Sequence, residues 1–222
     1  MEPKKQNSEK RVPKGNIKFS LQLSDEQKIA KASVLIHPFS FLIGKAGSGK
    51  TLLAVQIALD CFFKRTVDKI IITRPTVSTE DNGFLPGTEK EKMAPWLIPI
   101  RSNMRKVYNK PDVLEKMEVN EDIELVSLAH FRGRTFENAI CIIDEFQNLS
   151  KAQLAMVLGR LGKGSYMIFT GDQQQVDLRD RNYSAINELA KLKGSEYINI
   201  VHLLDNHRHE AIDDVLERLN GI

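Results

Sequence analysis

The chain has 222 residues, 41% hydrophobic and 27% charged, with a formal net charge of +3. That length suits one large domain, or one domain with an appendage, and the composition is that of an ordinary globular protein. No apolar run approaches the roughly 20 residues that span a bilayer, and no apolar h-region follows the N-terminal charges; both argue against membrane and export readings, and a cytoplasmic location is the expectation.

Residues 1–18 carry Lys4, Lys5, Lys10, Arg11, Lys14 and Lys18 against Glu2 and Glu9, a net +4, which leaves the remainder near neutral. A basic, proline-containing stretch with few large apolar groups reads as a solvated flexible tail, with contact to a nucleic-acid backbone as the alternative. Residues 19–222 read as one domain. In LSDEQKIAKASV, Ser24 and Gln27 have the spacing of a helix capping box. HPFSFLIG then predicts a strand, and TLLAVQIALDCFF repeats its apolar residues with helical period. VDKIIITRP, AICIIDE and SYMIFTGD are further strands, with KAQLAMVLGRLG a helix between the last two. A strand to about Leu128 is expected in IELVSLAHFRGRT, and another in INIVHLLD. Between about 76 and 120 the prolines and glycines predict an irregular insertion with short helices. Strands alternating with helices give an α/β fold with a mostly parallel sheet covered on both faces.

The chemistry begins at Gly44-Lys45-Ala46-Gly47-Ser48-Gly49-Lys50-Thr51, which fits GxxxxGK[ST] and lies between a strand and a helix ahead of Leu52. Glycines let successive backbone N–H groups turn toward phosphate oxygens, and the helix adds its positive N-terminal end. Lys50 is expected on the β- and γ-phosphates and the Thr51 hydroxyl on Mg²⁺. The fold expected is therefore the three-layer αβα, RecA-like P-loop NTPase. AICII ends in Asp144 and Glu145, the first placed for the Mg²⁺ shell at the end of a neighbouring strand, the second for the attacking water. The polar amides after Gly171-Asp172 are suited to sensing the γ-phosphate.

In order, LSDEQ, GKAGSGKT, ITRPTV, GFLPGTEKEK, FRGRT, IIDEFQN and TGDQQQVDL cover roughly Leu23 to Arg208, and with them the sequence resembles the PhoH-like proteins, relatives of the superfamily 1 helicase ATPase core. The resemblance implies that Gln27 reads adenine, making the cofactors ATP and Mg²⁺, and that Gln147 and Gln175 are coupled to the γ-phosphate. It further implies that Arg208 closes on that phosphate, although DNHRH departs from the family's valine-arginine-histidine version. It implies a homo-oligomer, a hexameric ring in which a neighbour's arginine completes each site, because a second helicase domain is not expected in this length. Arg74, Arg132 and Arg134 are the other candidates for that arginine or for a nucleic-acid contact. RNA or single-stranded DNA is the expected partner.

Cys61 and Cys141, each in an apolar segment, read as reduced core residues. His130, His202, His207 and His209 form no ligand spacing, so no metal besides Mg²⁺ is expected. Trp96 reads as a covering aromatic, with base stacking as the alternative, and the amphipathic AIDDVLERL as a packing or subunit contact. The leading function is thus a helicase-like ATPase, an ATP hydrolase. The alternatives are an ATP-gated binding or assembly module and, more weakly, a nucleotide kinase.

Overall fold

The computed structural model describes residues 18–75 and 89–208, of which 89–96 by backbone only, together with positions 211, 212, 215, 218 and 219. The tail at 1–17, the GFLPG segment, His209 and much of the C-terminal AIDDVLERL stretch lie outside the described residues. Six strands, β1 (Phe39–Gly44), β2 (Lys69–Thr73), β3 (Ile123–Leu125), β4 (Ala139–Ile143), β5 (Tyr166–Gly171) and β6 (Ile198–Leu203), form one sheet in the order β3-β2-β4-β5-β1-β6. Every pairing is parallel. All six C-terminal ends therefore lie along one edge, where the loops of such sheets form ligand crevices.

The two-residue strand period sorts the apolar side chains onto two faces. Leu42, Ile70, Ile72, Ile140, Ile142 and Ile168 pack with α1 (Asp25–Val34), α2 (Lys50–Phe63), α3 (Glu89–Val107) and α4 (Pro111–Val119). Phe41, Ile43, Ile71, Cys141, Ile143, Met167 and Phe169 pack on the other side, with Leu154 and Val157 of α5 (Lys151–Leu158). This is the three-layer αβα arrangement. Strands buried on both faces have to be near-continuous apolar runs, as KIIIT and AICII are. At the centre of the second face Phe41 stacks on Phe169, centroids 4.4 Å apart, and meets Phe146 edge-on at 5.3 Å. Phe41→Ala is expected to cost roughly 3–5 kcal/mol of stability, read as a lowered urea midpoint at unchanged m-value.

Two elements differ from the sequence expectation. α3 is a single 19-residue helix that runs through Pro95 and Pro99. Each interior proline costs roughly 3 kcal/mol. Leu97, Ile100, Met104 and Val107 offset this, being buried along one stripe of the helix, at about 1.5–3 kcal/mol for each side chain. β3 ends at Leu125 rather than near Leu128: Val126 N–H makes a last bond to Ile72 O, and the chain then folds into a 3-10 turn, Leu128–Phe131, that buries Phe131.

Cys61 and Cys141 are buried free thiols, pushed up by burial to about 11 and about 12. Among the described residues no helix is long and apolar enough to cross a membrane.

Candidate active site

The loop from Gly44 to Thr51 leaves β1 and enters α2. Gly47 and Gly49 have φ of +96° and +78°, the left-handed region that a side chain would strain. Lys50 folds back, its Nζ donating to Gly44 O at 2.7 Å and Lys45 O at 2.9 Å. Burial lowers the pKa of this ammonium, Asp172, Glu145 and Asp144 pull it back up, and Arg208 lowers it further. Beside it the Ser48 hydroxyl is buried with no partner among the described residues. An orphaned buried hydroxyl in a curled, glycine-rich loop fits a phosphate group, whose oxygens would satisfy it. Thr73 Oγ1 at the end of β2 is likewise without a partner among the described residues, but β4 and β5 separate it from β1. Ala46 is half-buried in the loop, and Leu52 packs against the core just after it.

Asp144 joins the loop to the rest of the sheet edge. β4 is not the neighbour of β1 as expected from the sequence, because β5 lies between them. β5 closes that gap with a hydroxyl. Asp144 Oδ1 accepts from Thr51 Oγ1 at 2.7 Å and from Thr170 Oγ1 at 2.6 Å. A carboxylate and a hydroxyl held together in this way fit a hard cation that takes oxygen ligands and keeps several waters. Arg74, emerging from β2, lies 3.6 Å from Asp144 Oδ2 and 3.7 Å from Glu145 Oε1. These distances are ion pairs rather than hydrogen bonds. Glu145 itself is a non-glycine residue in left-handed backbone, φ +56°, the kind of strain that gathers at functional sites. Burial, then the Asp144 charge, raises its pKa, against the pull of Gln147, Arg74 and Lys50.

Gln147 is fully buried and ties the β4 turn to the β5 turn. Its Nε2 donates to Glu145 Oε2 at 2.5 Å and to Gln175 O at 3.0 Å, while its Oε1 accepts from Asp172 N–H at 3.2 Å. Gln175 thus meets the site through its carbonyl; its side chain is exposed. One residue on, Asn148 and Asp177 exchange two hydrogen bonds, 3.1 and 2.8 Å. Gly171, the last residue of β5, has no room for a side chain, since an added Cβ would sit 2.5 Å from the Phe146 ring.

The segment after β6 lies across the phosphate loop. Glu26 of α1 holds its start, accepting Leu204 N–H at 2.8 Å and Asp205 N–H at 3.1 Å. His207 N–H donates to Gly47 O at 3.1 Å. The Arg208 stem covers Gly47 closely enough that an added Cβ would sit 2.5 Å from its Cγ. Gln27, inside the capping box with Ser24, reaches Ser48 O and the His207 ring. The structure therefore brings together Gln27, Lys50, Thr51, Arg74, Asp144, Glu145, Gln147 and Arg208. Arg134 is elsewhere, bonded to Glu124 at 2.8 Å and lying over the Phe136 ring at the β3 edge. Arg132 is exposed past the C-terminal end of β3, its side chain without a partner among the described residues.

A family model described as PhoH-like protein matches residues 21–220. The chain belongs to that family. It is 40% identical over 185 residues to the PhoH-like protein of Synechocystis and 42% identical over 182 residues to that of Bacillus subtilis. These alignments cover 82% and 80% of this chain but 56% of each relative, so the chain spans about half the length of the curated relatives it matches. Among solved structures, the large terminase of a thermophilic bacteriophage superposes with a TM-score of 0.50 at 10% identity, covering 90% of this chain and 50% of that one. That likeness is one of fold, the P-loop ATPase core.

Four contributors to this PhoH-like site carry no role in the sequence reading: Thr170, Asp172, Glu26 and His207. The first two had a signal, since TGD ends an apolar strand in polar groups just as DE does after AICII. Glu26 meets its partners across 178 and 179 residues of chain, and nothing local announces it.

Proposed function

We propose that the chain hydrolyses ATP with Mg²⁺, that it works as one subunit of a homo-oligomeric, hexameric ring, and that it acts on RNA or single-stranded nucleic acid as a helicase-like motor. The observation that carries hydrolysis is Asp144 joined to both Thr51 and Thr170, with Lys50 and Glu145 beside it. Loop N–H groups and Lys50 bind the β- and γ-phosphates, Lys50 exchanging two carbonyl oxygens for phosphate oxygens. Thr51 and Asp144 would hold Mg²⁺, which neutralises phosphate charge. Glu145 takes a proton from water as the water oxygen bonds to the γ-phosphorus and the bond to the β–γ bridging oxygen breaks, leaving ADP and phosphate. Gln147 passes the state of Glu145 to the β5 turn through one amide. Gln27 faces the base.

Two surface features support the partners. Arg132 is exposed on the connection after β3 and so is open to a neighbouring subunit's site, whereas Arg74 serves its own chain's carboxylates. Away from the loop, a groove of about 710 Å³ is lined by Ser20, Arg101, Ser102, Arg105, Lys106 and Asn109, with Ile98. Arg101 is held by Glu118, but Arg105 and Lys106 are exposed, and Lys18, the last residue of the +4 N-terminal segment, precedes Ser20 by two positions in the sequence. Such charge binds a phosphate backbone in a salt-dependent way.

The test is steady-state ATP hydrolysis with and without single-stranded RNA or DNA, beside light scattering with and without ATP. Stimulation by nucleic acid is expected, and a nucleotide-dependent oligomer. No response at concentrations that bind would favour the ATP-gated module, and a strict monomer under both conditions would overturn the ring.

A further inference from the structure

The Gln27 amide is committed within the chain. Its Oε1 accepts Ser24 N–H at 3.2 Å, which fixes which end of the amide is oxygen. Its Nε2 then faces Ser48 O at 3.4 Å and His207 Nε2 at 3.2 Å. An amide nitrogen only donates, so His207 Nε2 is the acceptor and the ring proton sits on Nδ1. The imidazole is positioned by three independent anchors. Glu26 grips Leu204 and Asp205, the His207 main chain bonds to Gly47 O, and the Arg208 stem lies on Gly47. A five-membered ring with an in-plane nitrogen acceptor is thus seated on the glutamine that flanks the phosphate loop. The imidazole half of a purine presents the same group through N7.

We propose that His207 is a specificity-determining residue that stands in for the purine base: it holds the Gln27 amide, and ATP has to displace it. The proposal rests on the ATP reading above. The main-chain bond to Gly47 O and the Arg208 stem on Gly47 do not depend on the imidazole, so the competition is for the base contact alone. A triphosphate without a base has no claim on Gln27 and leaves the imidazole seated there.

The test measures dissociation constants of the full chain for MgATP and for magnesium tripolyphosphate in the parent, His207→Val, Gln27→Ala and the double variant. Losing one competing hydrogen bond is expected to tighten MgATP about three- to tenfold in His207→Val. Tripolyphosphate affinity should stay within about twofold, on the same principle that only the base contact changes. In the Gln27→Ala background the His207 change should have no effect on ATP. Weaker ATP binding in His207→Val would make His207 a ligand rather than a stand-in. Equal tightening of both compounds would make the segment a simple cover of the loop, and either result overturns the proposal. If the parent binds neither compound and matches Lys50→Ala, the ATP reading itself fails.

Discussion

Lys50→Ala is expected to abolish MgATP binding at millimolar nucleotide while leaving the fold intact. Lys50 is 8% exposed, and burial lowers the pKa of its ammonium, so part of its hydration has been given up before any ligand arrives. Transfer from the carbonyls of Gly44 and Lys45 to phosphate oxygens therefore replaces neutral acceptors with charged ones. A hydrogen bond to a charged partner contributes about 1.5–3 kcal/mol, so losing contacts to two phosphates costs roughly 3–6 kcal/mol, or about 10²–10⁴ in Kd. Titration with a fluorescent ATP analogue reads the loss. In the free protein the same change removes the ammonium donor from Gly44 O and Lys45 O, the latter keeping its bond from Ser48 N–H, and thermal unfolding separates that modest cost from the binding effect. Unchanged affinity in a folded variant would remove Lys50 from the site.

That the loop could be read from sequence while its surroundings could not has a physical reason. GKAGSGKT is contiguous, and the backbone conformation it needs is written in its own glycines: Gly47 and Gly49 both take positive φ. The capping box at Ser24 and Gln27 is equally local, and it forms. The apolar runs of β1, β2, β4 and β5 were legible because strands buried on both faces admit little else. Strand order was not, since β5 intervenes between β1 and β4, and without it Thr170 has no visible reason to touch Asp144. α3 was hidden by Pro95 and Pro99, whose local cost is outweighed only by burial of Leu97, Ile100, Met104 and Val107 against the rest of the molecule. His207 was set aside as a lone histidine because its partner is 180 residues away. Local conformational rules travel with the sequence; contacts made by packing at the sheet edge do not.

Glu145→Gln is expected to bind MgATP as the parent does and to lose about 10²–10⁴ in kcat, the usual contribution of a positioned general base. The amide keeps the size of the side chain and can still accept from Gln147 Nε2, so the link to Asp172 and Gln175 survives. What disappears is the capacity to take a proton. The pH dependence carries a second, independent signature. Burial and the Asp144 charge raise the Glu145 pKa, so the acid limb of kcat/KM for the parent should lie above the ordinary glutamate range. Stability runs the other way. A carboxyl whose folded pKa is raised contributes stability that is fully present below its unfolded pKa and is lost as pH rises through the folded value. In the nucleotide- and metal-free protein, Glu145→Gln should therefore unfold at a higher temperature than the parent at neutral pH, with the difference shrinking on acidification. Full turnover in the variant would refute the base assignment. A variant that loses turnover and is also less stable at neutral pH would mean that the carboxylate is held by its partners, Gln147 and Arg74, more than it is repelled by Asp144.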